Sequence, residues 1–341
     1  MQIIAICRED DPGTISEALA KIDELHDPHI QLLVFNDQPI NKPHGLNLGL
    51  QIAKGDVVTI FDAEDEPHPD ILNIINTTML NEEVDVVQSG VQLMNHNTKW
   101  FCFLNVLEYF FWFKSSLHFF ARIGMIPLGG NTVFVRRELL RQIGGWDEHC
   151  LTEDADLGIR LSLAGARIRV IYDDTYVTRE ETPHTIAHFI KQRTRWNQGF
   201  IQILFKGDWI KLEKFSQRLL AFYLLILPEV QAFFMLLAPV SIMMLFFVKL
   251  PLWLAMFTFM PLYCLALAVF IDLAGLREFL KAHKRKWRWH EAIITMLAFI
   301  PYQCILSIGA LRAVYRHIQG TSNWEKTMHL GQHRDLAKVK E

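Results

Sequence analysis

Three long apolar segments in the second half of the chain place the strongest constraint on its fold. They cover residues 219–248, 250–271 and 292–311, and the only charged residue within them is Glu229 in the first. Each segment is long enough to cross a hydrocarbon core of about 30 Å. Buried core helices are the alternative, but three such runs so close together favour membrane spans, in keeping with a chain that is 51% hydrophobic.

The first 200 residues have the composition of an ordinary soluble α/β domain. Strands are predicted at residues 3–7, 30–35, 57–61 and 84–87, and helices between them at 15–25, 46–53 and 69–80. This alternation predicts a doubly wound, mostly parallel sheet with right-handed crossovers. The net charge of −3 argues against a nucleic-acid partner. The five scattered cysteines lack metal-type spacing and indicate a reducing compartment.

An acidic turn follows the third predicted strand. Residues 57–61 are an uninterrupted run of apolar or β-branched side chains, which predicts a strand buried on both faces. Asp62, Glu64 and Asp65 come directly after it, at the edge where open α/β sheets bind ligands. Clustered carboxylates repel one another unless a cation lies between them, and hard oxygen ligands suit Mg²⁺ or Mn²⁺. A solvated acidic turn is the alternative, but the buried strand favours a metal–phosphate site.

Two further motifs are weak when each is taken alone. Residues 152–154 (Thr-Glu-Asp) precede a predicted helix, and a threonine cap with an acidic first turn explains them equally well. Gln192, Arg195 and Trp196 lie at positions i, i+3 and i+4 of another predicted helix and therefore share a face. That face is either a basic surface packed by its tryptophan or a place where a guanidinium and an indole hold a diphosphate or a sugar ring.

The order of these motifs resembles that of one family. The acidic turn at 62–67, the Thr-Glu-Asp motif at 152–154 and the Gln-x-x-Arg-Trp motif at 192–196, followed by apolar spans, resemble the membrane-bound family 2 glycosyltransferases. This group includes cellulose, hyaluronan and other β-glycan synthases. Residues 324–327 (Trp-Glu-Lys-Thr) are similar to a tail motif of the synthase-like branch. The resemblance covers nearly the whole chain and implies a GT-A-type sheet followed by an interfacial helix and transmembrane helices.

The resemblance implies a UDP-sugar donor that is bound together with a divalent metal. Asp10 and Asp11 match the acidic pair that contacts the uridine, and Lys42 matches a lysine segment near the nucleotide. Asp62 and Glu64 occupy the two positions of the family's metal motif, with glutamate in place of the second aspartate. A glutamate can still ligate Mg²⁺ or Mn²⁺, so this departure concerns the geometry more than metal binding itself.

The resemblance also implies which residues act on the acceptor. Asp154 matches the general base, and Glu153 next to it is assigned to donor binding. Gln192, Arg195 and Trp196 match the motif that holds the acceptor end and the diphosphate. Displacing a nucleoside diphosphate from an anomeric carbon needs a cation and an arginine to neutralise the leaving group, and a carboxylate base for the attacking hydroxyl. One base without a protein nucleophile corresponds to a single displacement with inversion.

These matches predict an inverting transferase of the inner membrane whose cytoplasmic domain extends a growing polysaccharide. Non-processive transfer to a lipid phosphate or glycolipid is one alternative. A catalytically silent membrane subunit or fragment is another, because family members normally begin with an extra strand ahead of the one matching residues 3–7. Without that strand a sheet edge is expected to stay open and the nucleotide pocket to be incomplete.

The predicted organisation has four parts. They are a catalytic domain at 1–205, a linker at 206–218, a transmembrane region at 219–316 and a cytoplasmic-type tail at 317–341. Within the third part, six Lys or Arg residues and two tryptophans at 277–291 predict a basic interfacial helix. Three full spans would place the basic tail outside, against the positive-inside rule, so one span is expected not to cross fully. Pro228 and Pro301 mark the places to suspect.

Overall fold

Strands and helices alternate along the first part of the chain, as the sequence predicts. The structure, a computed structural model, describes residues 1–325, so Lys326 and Thr327 of the tail motif lie outside the described residues. The strands are β1 (Ile3–Arg8), β2 (Ile30–Phe35), β3 (Val57–Thr59), β4 (Val86–Gln88), β5 (Val91–Leu93), β6 (Val133–Arg136), β7 (Ile168–Val170) and β8 (Thr178–Glu180). The helices of this part are α1 (Pro12–Leu25), α2 (Lys42–Ile52), α3 (Ile71–Asn81), α4 (Trp100–Phe111), α5 (Leu117–Ile123), α6 (Arg137–Gln142), α7 (Glu153–Leu163) and α8 (Ile186–Lys206).

The strands of the described part form three separate sheets. β1 and β2 pair in parallel, as do β5 and β8, and the third sheet has the order β3-β6-β4-β7. In that sheet β6 is antiparallel to both of its neighbours, whereas β4 and β7 are parallel. The predicted α/β class is confirmed, but the expected single sheet is divided because β1 does not pair with β3.

Helices cover both faces of the four-stranded sheet. Val86 belongs to the same buried cluster as Leu50 of α2, whereas Val87 and Phe134 are buried with Ile75 of α3. Successive side chains of a strand point to opposite faces, so α2 and α3 lie on opposite sides of the sheet. Burial of each large aliphatic side chain contributes about 1.5–3 kcal/mol, which holds these layers together.

Strand β3 is shorter and more exposed than the sequence predicts. It ends at Thr59, and Val57 leaves 37% of its surface exposed. The apolar run predicts full burial, but among the described strands β3 pairs only with β6. The other edge of β3 borders a cavity of 1670 Å³ that separates it from β1, where Ile3 is 41% exposed. The open sheet edge expected from the sequence therefore lies between β1 and β3.

Four helices follow the α/β part. They are α9 (Phe215–Phe247), α10 (Leu252–Thr258), α11 (Met260–Ala282) and α12 (Trp289–Ile318). In the described residues, α9, α11 and α12 are long and apolar enough to cross a membrane. Helices α9 and α12 continue through Pro228 and Pro301. The second predicted span is instead divided between α10 and α11, because Pro261 occupies the first turn of α11, where it is tolerated.

The predicted basic helix over 277–291 is not a separate element. Its first residues belong to the end of α11, its last belong to the start of α12, and a turn joins the two. Lys284 in this turn has a φ of 52°, in the left-handed region that ends helices. Trp287 and Trp289 are 50% and 72% exposed beside the ends of two apolar helices. Trp289 is the first residue of α12, whereas Trp287 lies in the turn before it, and a place at the membrane boundary stays a prediction for both.

Candidate active site

A single cavity brings together most of the residues that the sequence motifs predict. It has a volume of 740 Å³ and lies where β3 and β8 end and where α7 begins. The predicted site residues that line it are Lys42, Asp62, Glu64, Glu153, Asp154, Gln192, Arg195 and Trp196. Residues that are up to 154 positions apart in the sequence therefore share one surface, as a single site requires.

Helix α8 packs directly onto the start of α7, and this contact places the two main motifs side by side. A Cβ atom at Gly199 would lie 2.2 Å from Oγ1 of Thr152 and 2.7 Å from its backbone nitrogen, so only glycine fits there. The side chain of Thr152 makes no capping hydrogen bond to α7. The acidic residues after it are therefore not explained by a capping box, and they face the cavity instead.

Lys42 is held between carboxylates from two different elements. Its Nζ lies 2.5 Å from Oδ1 of Asp62, after β3, and 3.8 Å from Oε1 of Glu153, in the first turn of α7. Burial lowers the pKa of Lys42, but Asp62 and Glu153 outweigh that effect and leave the pKa above its usual value. The lysine is therefore charged, and it supplies one positive charge inside a cavity rich in carboxylates.

Glu153 and Asp154 are buried carboxylates that share an electrostatic environment. Burial raises the pKa of both groups, while Lys42 and Arg195 act in the opposite direction. A carboxylate with a raised pKa is a stronger base, which suits proton transfer from a hydroxyl. The loop before β6 approaches this group closely: a Cβ at Gly130, whose φ is +81°, would lie 2.9 Å from Oδ2 of Asp154.

Asp65 stabilises the acidic turn from within. The backbone N–H of Asp62 donates to Oδ2 of Asp65 over 2.8 Å, and Nδ2 of Asn131 donates to Oδ1 over 3.0 Å. Burial, followed by the charge of Asp62 and a smaller effect of Glu64, raises the pKa of Asp65 to about 7. Of the three carboxylates in the turn, Asp62 and Glu64 are the two that line the cavity.

The side chains of Asp62 and Glu64 both line the cavity, and carboxylate oxygens are ligands that suit a divalent cation. Among residues 1–325, no three His, Cys, Asp or Glu side chains form a group that could hold a metal by themselves. Mg²⁺ is nevertheless commonly bound by one or two carboxylates, with phosphate oxygens and water completing the shell. Lys42 forms an ion pair with Asp62 at this position, so the lysine and a cation would neutralise the same carboxylate.

Arg195 presents a guanidinium to the cavity beside an aromatic ring. Its guanidinium carbon lies 4.2 Å from the ring centre of Trp324, and Nη1 donates to the carbonyl of Leu151 over 3.4 Å. Its Nε is buried without a hydrogen-bond partner in the described part of the chain. A buried donor of this kind is suited to a phosphate oxygen. Trp324 thus brings the end of the described chain into the site.

Arg193 orients Trp196, a role that the sequence motifs did not indicate. The guanidinium of Arg193 donates to both carboxylate oxygens of Glu108 over 2.6 and 2.9 Å, and the hydroxyl of Tyr302 donates to Glu108 over 2.5 Å. The guanidinium carbon also lies 4.7 Å from the ring centre of Trp196. These contacts join α4, α8 and the membrane-type helix α12 at the edge of the cavity.

The structure adds Glu180 to the site. This residue ends β8 and lines the cavity. Burial raises the pKa of Glu180 well above its usual range, and Asp65, Asp62 and Glu64 add to the effect. The sequence held one signal for it, an acidic pair at 180–181 directly before Thr-Pro, but the strand leading to it is only three residues long.

Asp10 and Asp11 do not line this cavity. Asp10 forms an ion pair with Arg8 at 2.6 Å, and Oδ1 of Asp11 accepts a hydrogen bond from the backbone N–H of Thr14, at the start of α1. Both residues lie just beyond the carboxyl end of β1, the strand that borders the open sheet edge. Their contact with a uridine stays a prediction.

The fold and the site define a class of protein. An α/β sheet, a carboxylate-lined cavity at strand ends, an adjacent arginine and tryptophan, and membrane-type helices are the features of a membrane-associated group-transfer enzyme. Residues 1–199 match the family model described as "Glycosyltransferase like family 2". The chain belongs to this family.

Two curated relatives resemble the first half of the chain. The "Probable glycosyltransferase YdaM" of Bacillus subtilis (strain 168) is 28% identical over 187 residues, which are 51% of this chain and 42% of the relative. The "Beta-monoglucosyldiacylglycerol synthase" of Trichormus variabilis is 30% identical over 163 residues, or 47% of this chain and 34% of the relative. The chain therefore spans less than half the length of these relatives.

One solved structure shares the fold over most of the chain. The "Mannosyltransferase PcManGT from Pyrobaculum calidifontis in complex with GDP-Man and Mn2+" superposes with a TM-score of 0.57 at 19% identity. The superposition covers 92% of this chain and 78% of that structure. At this identity the likeness shows the fold alone, and it supports the GT-A-type architecture that the sequence motifs predict.

Proposed function

We propose that the protein transfers a sugar, with inversion, from a UDP-sugar to a growing polysaccharide at the cytoplasmic face of the inner membrane. One observation supports this more than any other: the cavity that contains Asp154 extends to polar side chains on all three membrane-type helices. These are Gln231 on α9, Asp272 on α11 and Gln303 on α12. Polar groups within apolar helices are costly unless they border a polar path, so they suit a hydrated glycan.

The residues around the cavity divide into donor and acceptor groups. In this proposal Asp62 and Glu64 hold a Mg²⁺ or Mn²⁺ ion, which neutralises the diphosphate as it leaves. Lys42 and Arg195 provide further positive charge beside that group. Asp154 removes the proton from the attacking hydroxyl. A nucleotide-sugar donor with a divalent metal agrees with the GDP-Man and Mn²⁺ of the solved mannosyltransferase.

Gln192 and Trp196 are proposed to hold the acceptor. Gln192 is buried, and its Oε1 has no hydrogen-bond partner among the described residues. Such an acceptor atom is costly unless a bound molecule donates to it, and a sugar hydroxyl does so. Trp196 provides a flat apolar face next to it, which suits the carbon-bound hydrogens of a sugar ring. Asp10 and Asp11 are proposed to contact the uridine.

The test is release of UDP from a panel of UDP-sugars by the purified protein in detergent with Mn²⁺. Asp154→Asn keeps the shape of the side chain but removes the base, and we expect transfer to fall roughly 10²- to 10⁴-fold. Asp23→Asn, at an exposed position on α1, is the matched control and should retain full activity. Folded protein that releases no UDP from any sugar would refute the proposal and favour a catalytically silent subunit.

A lipid acceptor is the second candidate, and a separate observation favours it. The membrane-side end of the cavity is also lined by apolar side chains, among them Leu227, Ile271 and Leu306. These suit the chain of a lipid whose headgroup receives one sugar. One relative is named for a diacylglycerol product. Sizing the product distinguishes the candidates, since a polymer supports a glycan acceptor and a single added sugar supports a lipid.

A further inference from the structure

The end of α11 and the turn that joins it to α12 carry positive charges that the candidate active site does not use. Residues 277–288 contain six Lys or Arg side chains and one acidic residue, Glu278. None of the six basic side chains lines the cavity that contains Asp154. We call residues 281–288, which hold five of the six positive charges, the basic turn.

An ordered helix cap gives the basic turn a fixed shape. The backbone of Lys284 is left-handed, with a φ of 52°. The backbone N–H of Arg285 donates to the carbonyl of Leu280 over 2.8 Å, and the N–H of Lys284 donates to the carbonyl of Lys281 over 3.1 Å. These two hydrogen bonds are those of a Schellman motif. The charges of the basic turn therefore occupy defined positions at the end of α11.

Both ends of the basic turn pack against the α/β part of the chain. Ala282, at the end of α11, and Ala292, in the first turn of α12, lie against a buried cluster that includes Leu107 and Phe110 of α4. The basic turn therefore lies at the end of the apolar helices that meets the α/β part.

The exposed face of α11 changes from apolar to basic as it approaches the turn. Its exposed residues are spaced alternately by four and three positions, so they form one stripe along the helix. Four residues of the stripe are apolar or aromatic and the last two are basic: Tyr263, Leu267, Phe270, Ala274, Arg277 and Lys281. An exposed apolar stripe suits lipid tails, so the basic residues at its end lie where lipid headgroups are expected.

Helix α12 shows the same change on the other side of the turn. Arg288 is its N-cap, and an exposed apolar stripe begins with Trp289 and continues through Ile293 and Leu297. Trp287, within the turn, is also half exposed. Indole rings favour the boundary between hydrocarbon and headgroups. Two helices thus place their apolar-to-basic boundary at the same level, which favours a lipid surface over a soluble acidic partner.

The positive charges of the basic turn are available to a ligand. Lys281, Lys284, Lys286 and Arg288 are exposed, and Arg285 is the member of the turn that forms an ion pair among the described residues. Bound lipid phosphates can therefore reach these side chains without displacing a carboxylate from them.

Arg285 is oriented for one phosphate. Its Nη2 donates to Oε1 of Glu291 over 2.7 Å, which fixes the plane of the guanidinium. Its Nη1 is buried without a hydrogen-bond partner in the described part of the chain. A guanidinium that is held on one side and free on the other suits a phosphate oxygen.

We propose that the basic turn binds the headgroups of anionic phospholipids. Arg285 contacts a headgroup phosphate, and Lys284, Lys286 and Arg288 select lipids with a net negative charge over zwitterionic lipids, whose phosphate is balanced by a cationic group. The proposal does not rest on the proposed sugar transfer, because it concerns a separate surface and its test needs no catalysis.

The experiment measures lipid binding to the full chain in a nonionic detergent. Phosphatidylglycerol or phosphatidylcholine is titrated into the protein, and mass spectrometry of the intact complex gives the affinity of the first lipid bound. We expect phosphatidylglycerol to bind at least roughly fivefold more tightly, the equivalent of one Lys or Arg at an anionic surface. Raising ammonium acetate from about 0.1 M to about 1 M should remove most of this preference, because the Debye length falls to about 3 Å.

Two variants test whether the charges of the basic turn are responsible. The triple variant Lys284→Gln, Lys286→Gln and Arg288→Gln should weaken phosphatidylglycerol binding roughly fivefold or more and leave phosphatidylcholine binding unchanged. The charge-preserving variant Lys284→Arg, Lys286→Arg and Arg288→Lys should bind as the unmodified protein does. Circular dichroism establishes that each variant is folded. If the glutamine triple variant does not fold, Lys286→Gln alone should shift the preference in the same direction.

A matched control removes the same net charge elsewhere. Lys21→Gln, Lys54→Gln and Arg167→Gln change three exposed basic residues of the α/β part. This control should keep the full preference for phosphatidylglycerol.

Three outcomes would overturn the proposal. The first is equal affinity of the folded protein for the two lipids. The second is an equal loss of preference in the basic-turn variant and in the matched control, which would show an effect of overall charge. The third is displacement of phosphatidylglycerol by inorganic phosphate at the same concentration, which would assign the site to a free phosphate.

Discussion

The contact between Gly199 and Thr152 allows a sharp test of how the two main motifs are held together. A Cβ at Gly199 would meet the backbone nitrogen of Thr152 at 2.7 Å, about 0.7 Å short of an ordinary contact. The side chain of Thr152 can rotate, but its backbone can yield only if α7 and α8 move apart. We therefore expect Gly199→Ala to destabilise the protein by about 1–3 kcal/mol through overpacking.

That cost is reduced by the higher helix propensity of alanine, which contributes about 0.5–1 kcal/mol. The net loss for Gly199→Ala is then centred on about 1 kcal/mol, or a fall of about 1–3 °C in the unfolding midpoint of a chain of this length. The matched control is Gly275→Ala on α11, where a Cβ meets nothing within 4 Å. This variant should be as stable as the unmodified protein or slightly more stable.

The same displacement should reduce activity. Gln192, Arg195 and Trp196 lie on α8 within two turns of Gly199, and Asp154 lies in the first turn of α7. A shift of reacting groups by about 1 Å can cost roughly 10²-fold in rate. The assays are thermal unfolding in detergent and UDP release. If Gly199→Ala proves as stable and active as Gly275→Ala, the two helices do not abut in this way and the reasoning is refuted.

Three further predictions concern charged groups. Burial lowers the pKa of His44, but Glu148 and Asp37 together raise it above its usual value, so stability from this group is present below about pH 6.5 and is lost as pH rises through the raised pKa. The unfolding midpoint of the unmodified protein should thus fall between about pH 6 and 8.5, and it should fall by more than the midpoint of His44→Gln does. Equal falls in the two proteins would contradict this prediction. The control is His149→Gln, which changes an exposed histidine and should behave like the unmodified protein. Lys42→Met leaves Asp62 and Glu153 without their ammonium, so Mn²⁺ should raise its unfolding midpoint more than that of the unmodified protein; an equal or smaller shift would show that lysine and metal do not neutralise the same carboxylate. Glu108→Gln leaves the buried guanidinium of Arg193 without a counter-charge and should lower the free energy of unfolding by about 1–3 kcal/mol. This loss is smaller than is usual for a buried ion pair, because the side chain of Glu108 is 38% exposed and water screens its charge. In a double-mutant cycle with Arg193→Met that cost should largely disappear, and additive effects would show that the pair is not coupled.

Local pattern accounts for what the sequence predicted correctly. The alternation of strands and helices, the three apolar helices and the shared face of Gln192, Arg195 and Trp196 all follow from side-chain periodicity, which depends on residues close together in the chain. The acidic turn was recognisable because a strand directed it to the carboxyl edge of a sheet. The order of the motifs then indicated the family, which residues 1–199 confirm.

The sequence-based predictions that were wrong concern segments whose periodicity does not determine what packs against them. Residues 57–61 predict a fully buried strand, yet Val57 is 37% exposed because, among the described strands, β3 pairs with β6 on one side only. The basic segment at 277–291 has the composition of an interfacial helix, but a left-handed Lys284 divides it. The second apolar run looks continuous, but it is broken ahead of Pro261.

By itself, the sequence determined the class of fold, the family and the residue types at the site, because these depend on local patterns and on motif order. Tertiary structure alone decided which charges meet. Lys42 pairs with Asp62, which is 20 positions away, and Arg193 contacts Glu108 on a separate helix. The pKa of the buried Glu180 is raised further by Asp62, which is 118 positions away. Charge pairing depends on distance and dielectric in three dimensions, and no one-dimensional pattern specifies either quantity.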